Sequence, residues 1–308
     1  MNKRPIIIDC DPGTDDAIAL FMALASEDID VRAITVVSGN QTIEKTSNNA
    51  INIVDFLGKD VKVAKGAVRP LTREVFLADF VHGDSGVGNT VFPKAKADFY
   101  EKNAVDTIYE EAMKCNGELE LVSIGPLTNI ANLLMTYPEV KDKIKRLVIM
   151  GGAIFGGNDS PAAEFNIYVD PEAARIVFES GIPLVMVGLD ATHKAKVFEN
   201  EIREIESYNK VGKYAAEIMD FVKCFYESLG FGGIVMHDPC ALAYVLDESI
   251  VKTEEYHVDI ETRGELTRGK TVVDIYKVTG KEPNAYVAVD VDREKFVALI
   301  KELIKKYN

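Results

Sequence analysis

Asp9, Asp11, Asp15 and Asp16 crowd four carboxylates into the stretch "IIIDCDPGTDDAIALFMALAS", residues 6–26. An apolar run precedes them and a helix-like run follows, so the charge falls where a strand turns into a helix. A helix N-terminus favours a carboxylate by roughly 0.3–1 kcal/mol through its dipole and its free N–H groups. That suits Asp15 and Asp16 but not four groups converging on one place. Two readings stand: a solvated acidic turn, or a site for a hard cation, since every donor is oxygen. An EF-hand loop is excluded. Counted from Asp9, its sixth and twelfth positions hold Thr14 and Leu20, where Gly and Glu are required.

The elements that must position these groups are legible as alternating runs. "PIIID" (5–9), "VRAITVVSG" (31–39), "VKVAKG" (61–66), "LELVSIG" (119–125), "IKRLVIMGG" (144–152) and "IPLVMVGLD" (182–190) read as buried strands. Helical patterns separate them at 15–26, 42–58, 126–136 and 171–180, and 197–236 reads as helical. The tail carries the β-like runs "YHVDIE", "TVVDIY" and "AYVAVD", then a closing helix at 292–306. Continuous Val/Ile/Leu strands between helices predict an α/β fold, with one open, mainly parallel sheet flanked by helices around a Rossmann-like core. In such a sheet ligands bind beyond the carboxyl ends of the strands, where Asp9 and Asp11 fall. No linker, repeat or low-complexity tract divides the chain, which predicts a single domain over 1–308. Two long Gly-rich loops, 66–93 and 151–168, are expected to be functional or mobile.

A formal net charge of -14 disfavours nucleic acid and anionic membranes as partners. Four cysteines without paired spacing predict a reduced chain, and no segment has the length of a signal peptide core or a membrane span. A cytoplasmic protein is expected.

Asp9-Cys10-Asp11 imitates the aspartyl nucleophile of magnesium-dependent phosphatases of the haloacid dehalogenase type, but Gly13 stands where they usually place Thr or Val. "GGAIFGG" follows a strand without clearly opening a helix, a weak dinucleotide signal. The segment "DCDPGTDDAIAL", by contrast, resembles the signature of the inosine–uridine-preferring nucleoside hydrolases. The resemblance continues in that family's order through "VVSGNQT" (36–42), "VHGDSG" (81–86), "SIGPLTNIA" (123–131), "VIMGGA" (148–153), "AEFNIYVDPEAARIVF" (163–178) and "MHDPCALAYV" (236–245).

The resemblance implies calcium-dependent hydrolysis of the N-glycosidic bond of ribonucleosides to free base and ribose, in nucleoside catabolism or salvage. It implies one calcium ion per chain, held by Asp11, Asp16, Asp238 and the backbone carbonyl of Ile124. Calcium takes six to eight oxygens, so water and ribose hydroxyls can fill the remaining places. A bound cation lowers the pKa of its water, whose proton Asp11 would remove as general base. Asp15 and Asn166 would meet the ribose hydroxyls, Glu164 and Asn158 the 5′ end, and Asn40 the water. Met150 would line the sugar pocket. Phe165, Tyr226 and Phe231 would complete the substrate contacts. The transition state would resemble an oxocarbenium ion, which surrounding carboxylates stabilise. A homodimer or tetramer is also implied.

His237 matches the family's acid for the departing base, and His82 a second base-pocket histidine; histidine suits proton donation near neutral pH. His193 reads as structural, and His257 carries no assigned role. Asp238-Pro239 and Asp170-Pro171 both read as helix N-caps followed by Pro, Asp170 purely so. The chain has no Trp, so indole stacking on a purine is unavailable. Leu229 stands where some pyrimidine-preferring relatives present a tyrosine. Two alternatives remain at the sequence level: a magnesium-dependent phosphatase using Asp9, and a nucleoside- or ribose-binding protein without turnover.

Overall fold

The computed structural model describes residues 3–307, apart from the side chains of Asp79 and Phe80. Its strands are β1 (Arg4–Cys10), β2 (Ile29–Val36), β3 (Lys62–Lys65), β4 (Leu119–Ser123), β5 (Ile144–Met150), β6 (Leu184–Val187), β7 (Lys196–Val197), β8 (Ile234–Val235), β9 (Val251–Tyr256), β10 (Val258–Ile260), β11 (Thr271–Val273) and β12 (Ala285–Val291). Its helices are α1 (Thr14–Ala25), α2 (Ile43–Phe56), α3 (Asp79–His82), α4 (Ala104–Cys115), α5 (Thr128–Thr136), α6 (Phe165–Val169), α7 (Pro171–Phe178), α8 (Leu189–Thr192), α9 (Glu199–Glu206), α10 (Lys210–Ser228), α11 (His237–Leu246) and α12 (Arg293–Lys305).

Eight strands form the central sheet in the order β3-β2-β1-β4-β5-β6-β12-β9. Neighbours run parallel except β12 and β9. β1 shows why. Successive side chains of a strand face opposite sides, and here both sides are covered: Ile6 and Ile8 join the cluster around α1, α10, α11 and α12, while Ile7 joins the one around α4, α5 and α7. Each fully buried isoleucine contributes about 1.5–3 kcal/mol, which selects a strand with no solvent face. α1 is buried along its whole length, as an all-round apolar helix must be.

β1 lies between β2 and β4. The winding direction of the sheet reverses there, and the loops leaving the carboxyl ends of β1 and β4 part to open a crevice. Four details depart from the sequence reading. The 197–236 region is interrupted by the antiparallel pair β7 and β8 around α9 and α10. "YHVDIE" breaks at His257 between β9 and β10. The charged run "VKTEEY" forms β9, the sheet's antiparallel edge, where charge is tolerated because one rim faces solvent. α11 begins at His237, so Asp238 lies within its first turn rather than capping it. Asp170 does cap α7, accepting the Ala173 N–H at 3.1 Å.

Candidate active site

Asp11 is the first residue past β1, and the loops after β2 and β4 close on it through glycines. A Cβ on Gly39 would lie 2.2 Å from Asp11 Oδ2, and one on Gly125 would lie 2.5 Å from Oδ1. Only glycine permits so close an approach. The Asn40 backbone N–H donates to Asp11 Oδ2 at 2.6 Å, whereas Asp11 Oδ1 is buried with no partner among the described residues. Asp16 Oδ1 accepts the Asp11 N–H at 3.2 Å, and its Oδ2 accepts from Gly13 N–H and Asn40 Nδ2, each at 2.9 Å. Asp16 thus reaches back over the helix start as in a capping box. Asn40, read from sequence as an orienter of water, here fastens Asp11 and Asp16 together.

Asp15, Asp16 and Asp238 each offer an oxygen within 4.8 Å of the other two, and all three are buried. Burial, then Asp16, pushes Asp11 well above the usual carboxylate range. Burial and Asp15 push Asp16 up to about 7, and burial with Asp15 and Asp16 raises Asp238 as well. Like charges at this density need compensation. An unpartnered buried oxygen amid oxygen donors fits a hard cation. Asp15, given to ribose by the resemblance, belongs to this carboxylate trio, while Asp11 meets it through its N–H on Asp16. The Ile124 carbonyl, just past β4, accepts Asn166 Nδ2 at 3.0 Å.

A cleft of roughly 780 Å³, open mouth included, rises above this cluster. That suits a small organic ligand. Asp15, Asn40, His82, Ile124, Met150, Asn158, Glu164, Phe165, Asn166, Tyr226, Phe231, His237 and Asp238 line it. Glu164 caps α6 and accepts three backbone N–H groups, from Gly152, Asn166 and Ile167. Burial nonetheless lifts its carboxyl to about 7. Asn166 Nδ2 also donates to the Met150 carbonyl at 3.1 Å, and Asn158 Oδ1 accepts the Phe165 N–H at 2.9 Å.

The profile of the family described as inosine-uridine preferring nucleoside hydrolase matches residues 6–298. The chain belongs to that family. It is 49% identical over 307 residues to a pyrimidine-specific ribonucleoside hydrolase, RihA, of Salmonella schwarzengrund, covering 98% of this chain and 99% of the relative. Among solved structures, a plant nucleoside hydrolase superposes with TM-score 0.93 at 33% identity, covering 99% of each chain. The purine-preferring ribonucleoside hydrolase of Gardnerella vaginalis gives 0.91 at 36% identity, with 98% and 99% covered. The protein is therefore a ribonucleoside hydrolase.

In this nucleoside hydrolase Asp9 is no nucleophile. It is buried in β1, accepting from Thr35 Oγ1 at 2.6 Å and Asn129 Nδ2 at 2.8 Å. Burial raises its carboxyl to about 6. His193, read as structural, lines the cleft beside Phe231 and His237, with ring centroids 4.9 and 5.7 Å apart. Asp159, Phe225 and Leu229 also line it. The available signal for His193 was its place just past a strand's carboxyl end, and for Leu229 its standing where some relatives present a tyrosine; Asp159 carried none beyond its neighbours. Burial lowers the His82 and His237 imidazoles, His193 adding to the effect on His237. Burial, Asp15 and Asp238 keep Tyr226 a neutral phenol. Among the described residues no helix is long and apolar enough to cross a membrane.

Proposed function

We propose that this hydrolase cleaves the N-glycosidic bond of ribonucleosides with calcium held by Asp11, Asp16, Asp238 and the Ile124 carbonyl. The observation that carries the reading is Asp11 Oδ1, buried and unpaired, next to carboxylates that otherwise repel. When bound, calcium would offset that repulsion and acidify a coordinated water. Asp11 then takes the proton of the attacking water as general base. Asp15 and Asn166 bind the ribose hydroxyls, Glu164 and Asn158 hold the 5′ end, and Met150 packs on the sugar. The carboxylates favour the positive charge that develops on the ring. His237 serves the departing base, with His82, Tyr226 and Phe231 around it.

A pyrimidine preference is supported by the name of the 49%-identical relative and by the absence of Trp. We take the chain to act as one domain over 1–308, in the cytoplasm, as a homodimer or tetramer. The deciding experiment is overnight incubation with uridine, cytidine, inosine, adenosine and their 2′-deoxy counterparts, followed by chromatography of free base. Uracil and cytosine should be released fastest. Loss of the 2′-hydroxyl should slow release on the order of 10⁴-fold, because a site built to hydrogen-bond a hydroxyl rejects the analogue lacking it. No free base from any ribonucleoside would overturn the reading, and faster purine release would overturn the preference.

A further inference from the structure

Three imidazoles line the cleft, and two of them, His82 and His237, are held at Nδ1 by a threonine. At His82, Nδ1 receives the Thr14 backbone N–H at 3.1 Å and lies 2.9 Å from Thr14 Oγ1. A backbone N–H can only donate, so Nδ1 is bare and the His82 proton sits on Nε2. At His237, Nδ1 lies 2.8 Å from Thr192 Oγ1, and no backbone N–H among the described residues donates to it. Thr192 ends α8 just past β6 and is fully buried. Its own N–H is engaged by the Gly188 carbonyl at 3.1 Å, so its hydroxyl alone is left to hold the ring.

We propose that Thr192 is a positioning residue for the departure of the base: its hydroxyl donates to Nδ1 of His237, a ring that lines the cleft, leaving the ring proton on Nε2. This rests on the reading that His237 serves the leaving base. The opposite tautomer would point a proton at Thr192 and a bare lone pair at a group gaining negative charge, which opposes departure. His82 has a backbone donor to fix its tautomer. His237 depends on one side chain, so a single methyl-for-hydroxyl exchange should expose the dependence.

The test compares uridine with p-nitrophenyl riboside, whose leaving group needs little protonation. In the calcium-loaded full chain, Thr192→Val should lower kcat on uridine on the order of 10–100-fold, by analogy with the loss of a partner that orients a metal-bound histidine. KM should move less than about threefold, and the nitrophenyl rate should fall less than about threefold. Thr192→Ser should restore uridine turnover to within about threefold of wild type. Added to His237→Ala, Thr192→Val should cost nothing further, since the two act as a unit. Thr192→Ala removes the same hydroxyl and serves if the valine variant does not fold. Equal losses on both substrates, absence of serine rescue, or unchanged uridine turnover in Thr192→Val would overturn the proposal. If His237→Ala itself shows no split between the two substrates, the role given to His237 fails and the proposal with it.

Discussion

Replacing Asp11 by Asn tests the centre of the proposed mechanism with almost no change of shape. The Asn40 N–H sits 2.6 Å from Oδ2, so the asparagine must keep its carbonyl oxygen there. Its NH₂ must then occupy the place of Oδ1, the buried oxygen without a partner. Two donors replace a lone pair that would accept a proton and ligate a cation. Loss of the base alone costs on the order of 10²–10⁴-fold, or about 2.7–5.4 kcal/mol of barrier. Loss of a ligand charge adds to this, so kcat on uridine should fall at least about 10³-fold. The fold should survive, because Gly39 and Gly125 already shape the space to a side chain of this size. Thermal melts with and without calcium supply the second readout. A ligand that binds only the native state at about 100 times its Kd stabilises it by about 2.7 kcal/mol, and the variant should gain markedly less than wild type. A folded Asp11→Asn protein retaining more than about a tenth of wild-type kcat would refute the assignment of Asp11 as base.

Elemental analysis of protein purified without added metal should find about one calcium per chain; zinc at that stoichiometry, or full activity after chelation, would contradict the cation assignment. Gly39→Ala puts a Cβ 2.2 Å from Asp11 Oδ2 and 2.8 Å from Pro126 Cδ. It should lower kcat on the order of 10²-fold, the usual cost of displacing a reacting group by about 1 Å, while circular dichroism stays unchanged. Far from the cleft, Glu111 is buried and paired with Lys62 at 2.7 Å, Lys114 at 2.8 Å and Arg32 at 3.1 Å. Burial raises its carboxyl, but those three partners outweigh it and hold it at about 2. A carboxyl depressed on folding stabilises above its unfolded value, near 4.5, and loses that contribution as pH falls towards 2. Glu111→Gln should therefore cost about 1–2 kcal/mol at pH 7, less than the full shift because the cationic partners are partly solvated. The gap from wild type in urea unfolding should narrow as pH drops below about 4.5; a gap independent of pH would contradict it.

The parallel strands were legible because burial on both faces leaves uninterrupted runs such as Ile6–Ile8, short and rich in the β-branched residues that strands favour. β9 escaped because an edge strand is not required to be apolar: Lys252, Glu254 and Glu255 sit on its rim. The order of strands was not legible either, since β12 inserts beside β6 through contacts distant in sequence. At the site, four carboxylates in eight residues announced themselves through their electrostatic cost. The capping reading of Asp238 failed because helix starts are set by backbone geometry, and α11 opens one residue earlier, at His237. Thr192 gave no signal, because a lone threonine after a strand is common and its meaning lies in a contact with a residue 45 positions away.

The place of β12 has a consequence for how the molecule comes into being. This strand is made after every residue of the cleft, yet it sits inside the sheet, between β6 and β9. While a ribosome is still extending the chain, all of the acidic cluster can have emerged with β6 left as a raw edge. Its open N–H and C=O groups then invite the strand of another nascent copy. The run Ala285–Val291 is therefore what covers that edge once it is made. A break in synthesis just before it would leave a molecule that owns its whole active site and is most prone to aggregate.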